Sequence, residues 1–132
     1  MTITEVSRKF DISVDTLRYY ERIGLIPPVP RNKSGIRDYG EESCNWVGLM
    51  KCMRKAGVQI EALIEYVALF QKGEGTVEAR KLLLIEQRNR LLERMEDMQA
   101  SLERLNDKIA HYEQGPMKME KHLRKLQKER EK

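Results

Sequence analysis

The chain has 132 residues, of which 35% are charged and 40% hydrophobic, and its formal net charge is +4 at pH 7. This length suits one small domain plus an extension. The apolar segments are short and interrupted by charge, so we expect no transmembrane helix, no signal peptide and a cytoplasmic protein.

The charge is distributed unevenly along the chain. Lys and Arg number 10 against 7 Asp and Glu in residues 1–57, 8 against 11 in residues 58–116, and 7 against 3 in residues 117–132. The resulting charges of +3, −3 and +4 leave both ends basic, which suits DNA. Because the net charge of +3 in residues 1–57 is modest, the evidence for DNA binding is the placement of the charges and not their total.

Two short helices are predicted at the start of the chain. Thr2 and Glu5 form a capping box for the first, and Ser13 is a good N-cap for the second. Only Asp11 and Ile12 lie between them. Two helices joined this tightly predict a helix-turn-helix, in which the second helix enters the major groove of DNA.

The second helix has two distinct faces on a helical wheel. Val14, Leu17 and Tyr20 share the face that we expect to be buried. The outward face carries Asp15, Arg18, Tyr19 and Arg22. Its two guanidinium groups and its phenol suit phosphates and base edges. From this helix alone, an ordinary amphipathic surface helix with solvated arginines is an equally good interpretation.

A basic hairpin is predicted after this helix. Gly24 ends the helix, and the prolines at positions 27, 28 and 30 impose an extended path. The turn lies within residues 32–35. The polar groups of this small β-hairpin wing, which would straddle the DNA backbone, come from Arg31, Lys33, Arg37 and Tyr39.

Two further helices complete the predicted head. The third spans about residues 41–56 and ends at Gly57, and the fourth spans about residues 60–71. Their core stripes are Cys44, Val47, Met50 and Met53, then Ile60, Leu63, Ile64 and Val67. We find no pattern of a catalytic or cofactor site, and we interpret His111 and His122 as solvated, so we predict no enzyme and no cofactor.

A long helix is predicted from residue 76 to residue 114. Its seam has the four-three alternation of a coiled coil, interrupted only by Arg88: Leu84, Leu91, Met95, Met98, Leu102, Leu105, Ile109 and Tyr112. Since the small head has its own core, we predict that a second copy covers this seam and forms a homodimer. The alternative is a helix folded back against its own head.

The last segment, residues 117–132, follows a break at Gly115 and Pro116. Met119, Leu123 and Leu126 form one apolar edge among many charges. Two interpretations stay open, a short helix on the dimer and a disordered basic tail.

The motifs LRYYERIGLI, SGIRDY and AGVQIEAL together resemble the MerR family of bacterial transcription regulators, from Ile3 to about Phe70. The resemblance implies a mainly α fold, with a winged helix-turn-helix head in residues 1–72 and a coiled-coil dimerisation helix in residues 76–114 that pairs antiparallel. The DNA contacts that it implies, all matched here, are Thr16, Arg18, Tyr19, Arg22, Arg37 and Tyr39, to which we add Lys33 of the wing. Gln59 departs from the usual serine or threonine cap.

The resemblance also implies a mechanism. Such regulators occupy promoter DNA whose elements are separated by an overlong spacer, and they activate RNA polymerase by bending and twisting that spacer. We therefore expect double-stranded promoter DNA, bacterial RNA polymerase and a second copy of the chain as partners, and a nucleoid location when DNA-bound. The alternatives are an architectural or excisionase-like DNA-bending protein and a coiled-coil adaptor.

The two cysteines are the candidate sensor residues. Cys44 lies on the core stripe and is interpreted as a small buried hydrophobe. Cys52 lies about 200° from Met50 on the wheel, off that stripe. The neighbouring cations Lys51, Arg54 and Lys55 favour its thiolate, whereas the carboxyl end of a helix opposes it, and the residues alone leave the balance open. Gly48 and Ala56 would leave space beside the thiol.

The family resemblance favours a sensor role for Cys52. The segment KCMRKAG resembles the single-cysteine MerR regulators that respond to aldehydes or to nitrosative and other thiol-reactive stress. Metal sensing is not expected, because the family's metal sensors carry a cysteine near Val77 and another beyond the long helix, and neither is present. The family's drug sensors carry a large ligand domain that these residues do not contain.

Overall fold

The computed structural model describes residues 1–131, without the side chains of residues 116–119. Within that range the helices are α1 (Ile3–Phe10), α2 (Val14–Arg22), α3 (Glu41–Lys55), α4 (Ile60–Lys72), α5 (Val77–Glu113) and α6 (Pro116–Glu131), with a short 3-10 turn at Glu74–Thr76. The chain divides into two compact units, Met1–Leu91 and a second unit from Leu92 onward. The prediction of a mainly α fold with a helix-turn-helix head and a long helix is confirmed.

Side-chain caps begin both helices of the helix-turn-helix. The hydroxyl of Thr2 accepts the Glu5 backbone N–H at 3.2 Å, and the Glu5 carboxylate accepts the Thr2 N–H at 3.0 Å. The Ser13 hydroxyl accepts the Thr16 N–H at 3.1 Å. Asp11 adopts the left-handed conformation with φ 53°, so a single residue reverses the chain between the two helices.

The core of the head includes residues outside the predicted stripes. Leu25 and Ile26 are 0% and 1% exposed, because both backbone N–H groups donate to the Tyr20 carbonyl and fold the chain back under α2. Val29 is also buried, although it lies within the proline-rich stretch. The segment predicted as an extended connection therefore supplies one wall of the core.

The third and fourth helices pack the predicted stripes against the core, with Met53, Ile60 and Ile64 only partly buried, and they bury one unpredicted aromatic residue. Val47, Met50 and Val67 are fully or almost fully buried. Trp46 is 8% exposed and packs edge-on against Phe70, with ring centroids 5.0 Å apart. This aromatic pair joins α3 to α4.

A polar joint fixes the start of α5 to the end of α4. Gly73 has φ 99°, which favours glycine, and the Thr76 hydroxyl lies 2.7 Å from the Leu69 carbonyl oxygen. Arg80 donates to that hydroxyl at 3.1 Å, and its guanidinium lies 5.3 Å from the Phe70 ring centroid. The first turn of the long helix is therefore held against the head.

The long helix carries a row of exposed apolar side chains. Exposed members of the predicted seam are Leu84, Met95, Met98, Leu102, Leu105, Ile109 and Tyr112. None of the helices in residues 1–131 is long and apolar enough to cross a membrane.

Beyond the break at Gly115, the tail forms the helix α6 instead of an irregular segment. Leu123 and Leu126 of its predicted apolar edge are exposed. The side chain of Met119, the third member of that edge, lies outside the described part of the structure.

Candidate nucleic-acid interface

The outward face of α2 is ordered by interactions among its own side chains. The Arg22 guanidinium lies 5.3 Å from the Tyr19 ring centroid, and Tyr19 is 40% exposed. Arg18 pairs with Asp15 at 3.5 Å, but both side chains are largely exposed, so this pair is weak. Its guanidinium can exchange that partner for a phosphate at little cost.

The wing is a tight turn closed by one antiparallel bridge between Arg31 and Arg37, without regular strands. The Asn32 side-chain oxygen accepts the backbone N–H groups of Ser34 at 2.9 Å and Ile36 at 3.1 Å. Gly35 has φ 78° and completes the turn. Lys33 is exposed at its tip. The predicted hairpin is therefore built on an asparagine-capped turn.

Glu21 connects α2, the proline segment and the wing. Its two carboxylate oxygens accept the Val29 backbone N–H at 2.6 Å and the Arg37 Nε–H at 2.5 Å. Burial raises the pKa of Glu21, but the Arg37 side chain and the Val29 N–H outweigh this and hold the pKa below its usual value of 4.5. The carboxylate is therefore charged at neutral pH and clamps three segments together.

The structure separates the sequence-predicted site residues into two groups. Arg18, Tyr19, Arg22 and Lys33 are exposed, and the Thr16 hydroxyl lies 2.7 Å from that of Ser13 at the amino end of α2. Tyr39 is buried instead, and Arg37 is only partly exposed. The side chain of Arg37 is 24% exposed and paired with Glu21.

Tyr39 is a core residue with 1% exposure. Its hydroxyl has no hydrogen-bond partner among the described residues, and burial raises the pKa of its phenol. Its backbone carbonyl accepts the Met1 nitrogen at 2.7 Å, which ties the end of the wing to the start of α1. A phosphate contact by this hydroxyl requires the side chain to become accessible.

The sequence reasoning missed Glu21 and Met1 as parts of the site. Glu21 is the one acidic residue in the second half of α2, six residues before Pro27. That position indicates that Glu21 pairs with a cation inside the fold. Which cation it pairs with depends on which arginine of the wing folds back against α2.

Cys52 is exposed on α3, as predicted, but its surroundings differ from those predicted. The Lys51 ammonium donates to the Phe10 carbonyl at the end of α1, and Arg54 donates to the Val58 carbonyl at 3.0 Å. Lys51 therefore satisfies a carbonyl at the end of α1 and Arg54 one in the loop after α3, and both add positive charge near the thiol.

The space that we expected at Gly48 is occupied by an aromatic ring. A Cβ added there would lie 3.2 Å from Cε1 of Phe10, so this glycine allows α1 and α3 to approach closely. Its absent side chain therefore serves the packing of α1 on α3. Among the described residues, no group of three or more His, Cys, Asp or Glu side chains is arranged to hold a metal ion.

Together these features define a winged helix-turn-helix DNA-binding protein. Residues 1–69, more than half of the chain, match the family of MerR HTH family regulatory proteins. The chain therefore belongs to the MerR family and is a DNA-binding transcription regulator, not an enzyme.

Individual relatives agree with this assignment. The HTH-type transcriptional regulator AdhR of Bacillus subtilis (strain 168) is 58% identical over 93 residues, which cover 70% of this chain and 66% of AdhR. A MerR family regulator from Listeria monocytogenes has a crystal structure that is 48% identical, with a TM-score of 0.87 and 98% coverage of both chains.

A third relative was solved with its nucleic acid. HiNmlR, described as a MerR family regulator lacking the sensor domain and bound to promoter DNA, is 26% identical with a TM-score of 0.77, and the alignment covers 86% of this chain and 90% of that one.

Replacing Glu21 with Gln should destabilise the head at pH 7 by about 1–3 kcal/mol, because Arg37 loses the charge that compensates its partial burial. Since the pKa of Glu21 is lowered on folding, its contribution is present above pH 4.5 and is lost as the pH falls through the lower folded-state value. Urea unfolding of wild type and Glu21→Gln at pH 7 and at several pH values below 4.5 should show the two stabilities converging on acidification.

Glu65→Gln, on the exposed face of α4, is the matched control and should leave both the stability and its pH dependence unchanged. Stability curves for wild type and Glu21→Gln that stay parallel at all pH values would contradict the proposed clamp.

Replacing Tyr39 with Phe should keep or raise the free energy of unfolding, by up to about 1–3 kcal/mol, because a buried hydroxyl without a partner is removed. Tyr39→Ala should instead lower it by about 3–5 kcal/mol through the cavity left behind. Thermal unfolding tests both.

Fluorescence anisotropy with operator DNA tests the phosphate contact, since unchanged affinity in Tyr39→Phe would remove this hydroxyl from the interface.

Proposed function

We propose that this regulator acts as a homodimer on promoter DNA, that it activates transcription by distorting the spacer, and that thiol-reactive electrophiles control it through Cys52. The observation that carries the proposal is the exposed strip of Arg18, Tyr19 and Arg22 on a capped helix, beside a wing with an exposed lysine at its tip. Its expected place of action is the bacterial cytoplasm, at the nucleoid.

In this proposal α2 lies in the major groove and the wing lies over the adjacent backbone. Arg18 and Arg22 supply charge to phosphates or base edges, and Tyr19 and Thr16 supply hydroxyl groups. Lys33 approaches the backbone from the wing. Arg37 contributes mainly by holding the wing through Glu21, and a direct phosphate contact would compete with that ion pair.

Replacing Arg18 with Ala should weaken DNA binding and also its salt dependence. Removing one phosphate-binding cation lowers the slope of log K against log salt by about 0.9, and a dimer has one such cation in each head. Titrations at several salt concentrations measure both quantities. Arg104→Ala removes the same charge from an exposed site on α5 and should change neither. An equal decrease in the two variants would contradict a specific role for Arg18.

A dimer would place two such heads on one DNA duplex. The exposed seam of α5 supports dimerisation, because a row of apolar side chains this long gains stability when a second copy covers it. Two heads double the number of phosphate-binding groups. Their binding can offset the several kcal/mol that bending a promoter costs, and the bent spacer is then presented to RNA polymerase.

The chemistry proposed at Cys52 needs only an exposed thiol and a carbonyl compound. The sulfur attacks the aldehyde carbon, a C–S bond forms, the carbonyl π bond breaks, and the thiol proton passes to the oxygen, which gives a hemithioacetal. No oxidant is required, and the step is reversible. The accessible position of Cys52 on α3 supports this role, and the burial of Cys44 makes it the less reactive thiol.

The position of Cys52 also supports a structural link between an adduct on the thiol and the binding of DNA by the head. The Cys52 carbonyl accepts the N–H of Ala56, and the turn at Gly57 into α4 has φ 83°. Arg54 spans this turn to Val58 at 3.0 Å. A bulky group on Cys52 would act one helical turn before the α3–α4 junction, and this change would alter how the head presents α2 to DNA.

Replacing Cys52 with Ser should leave operator affinity unchanged and abolish transcriptional induction by a small aldehyde in vitro. Serine keeps the size and exposure of the side chain but is a far weaker nucleophile. Cys44→Ala is the control: it lowers stability by opening a buried site, yet it should keep the induction. Undiminished induction in Cys52→Ser would refute the assignment.

A further inference from the structure

The helix α6 separates its cations from its apolar side chains. On a helical wheel, four cations fall within one sector about 100° wide. We call them the basic stripe: Lys121, Arg124, Lys125 and Lys128. Leu123 and Leu126 lie on the opposite side of the helix. Packing of that apolar edge against any surface would therefore leave the basic stripe facing outward.

The cations of the basic stripe are not neutralised by neighbouring carboxylates. The acidic residues of this helix, Glu120, Glu129 and Glu131, lie outside the sector. All four cations are exposed, and none has a hydrogen bond or an ion pair in the part of the chain that the structure describes.

The long helix α5 shows a different distribution of charge. Both signs are mixed along it, and Glu86 pairs with Arg90 at 3.1 Å. Mixed charges of this kind are sufficient to keep a helix surface soluble. A stripe of one sign, separated from the acidic residues of the same helix, favours an anionic partner instead.

The spacing of the basic stripe matches the charge density of duplex DNA. From Lys121 to Lys128 the helix rises about 10.5 Å, at 1.5 Å per residue. Duplex DNA carries one phosphate charge per about 1.7 Å of its axis, so the same length holds about six phosphates. Four cations over this distance can release several condensed counterions, which favours binding at low salt.

We propose that the basic stripe of α6 is a second DNA-binding surface, which contacts phosphates and reads no base sequence. The inference rests on the DNA binding proposed for the head. A head bound to its operator makes the contact of α6 with the same duplex intramolecular, so a few weak contacts are sufficient. Lysine suits this role, because its ammonium is a point charge on a flexible stem.

Replacing Lys121, Lys125 and Lys128 together with Gln should weaken binding to a long duplex that extends beyond the operator on both sides. Glutamine has a helix propensity close to that of lysine and removes the charge. Each lysine that neutralises a phosphate contributes about 0.9 to the slope of log K against log salt, so the slope for a dimer should fall by up to about 5, and the affinity at low salt at least about tenfold. Anisotropy titrations at several salt concentrations measure both, and circular dichroism verifies the helix content.

Two single variants on the same helix form a matched pair. Lys125→Gln removes one cation of the basic stripe, and Arg130→Gln removes one exposed cation from the opposite side. Lys125→Gln should lower the slope for a dimer by up to about 1.8, whereas Arg130→Gln should leave it unchanged. An equal decrease in the two variants would overturn the proposal, since it would reflect net charge alone.

An unrelated duplex of the same length tests whether the contact is independent of sequence. Because phosphates carry no sequence information, the triple variant should lose affinity for this duplex and for the operator duplex by the same factor. A loss confined to the operator duplex would overturn the proposal.

Arg18→Ala separates this proposal from the one made for the head. Weaker binding in Arg18→Ala, with wild-type binding in the triple variant, overturns the role of the basic stripe but leaves the head as a DNA contact. Wild-type binding in both overturns both proposals. A triple variant that binds DNA normally but no longer activates transcription also overturns the proposal and assigns the stripe to an acidic protein surface.

Discussion

The carboxylate of Glu21 is the group on which the geometry of the head depends. It accepts one hydrogen bond from the chain that leaves α2 and one from the arginine that closes the wing. Without it, Arg37 of the wing and the Val29 N–H would lose the carboxylate that joins them to α2. Because both bonds are largely shielded from water, they hold the angle between helix and wing more firmly than surface pairs of the same charge.

The ion pair with Glu21 separates the basic residues of the head into those that stabilise the fold and those that remain at the surface. Arg37 neutralises Glu21 and so supports the wing, whereas Arg18 and Arg22 lie at the surface, where we propose that they contact DNA. Tyr39 follows the same division, since it fills the core under the wing and its backbone is tied to Met1.

The end of α3 links the proposed sensing and assembly functions. Cys52 lies on its exposed side, Met53 lines an apolar cavity together with Leu84 and Leu91 of α5, and the turn at Gly57 leads into α4. A change at the thiol therefore lies within about one helical turn of the junction between α3 and α4.

Local patterns in the sequence were enough to determine the helices, their caps and the outward strip on α2, because capping boxes, glycine stops and helical periodicity act between residues close in the chain. They also indicated the seam of α5 and the exposure of Cys52. Only the tertiary structure showed the burial of Leu25, Ile26 and Tyr39, the pairing of Glu21 with Arg37, the Phe10 ring over Gly48 and the cavity beside Met53. These features depend on contacts between residues that are distant in the chain. Packing decides which of several similar side chains come into contact, and a periodic sequence pattern carries no information about packing.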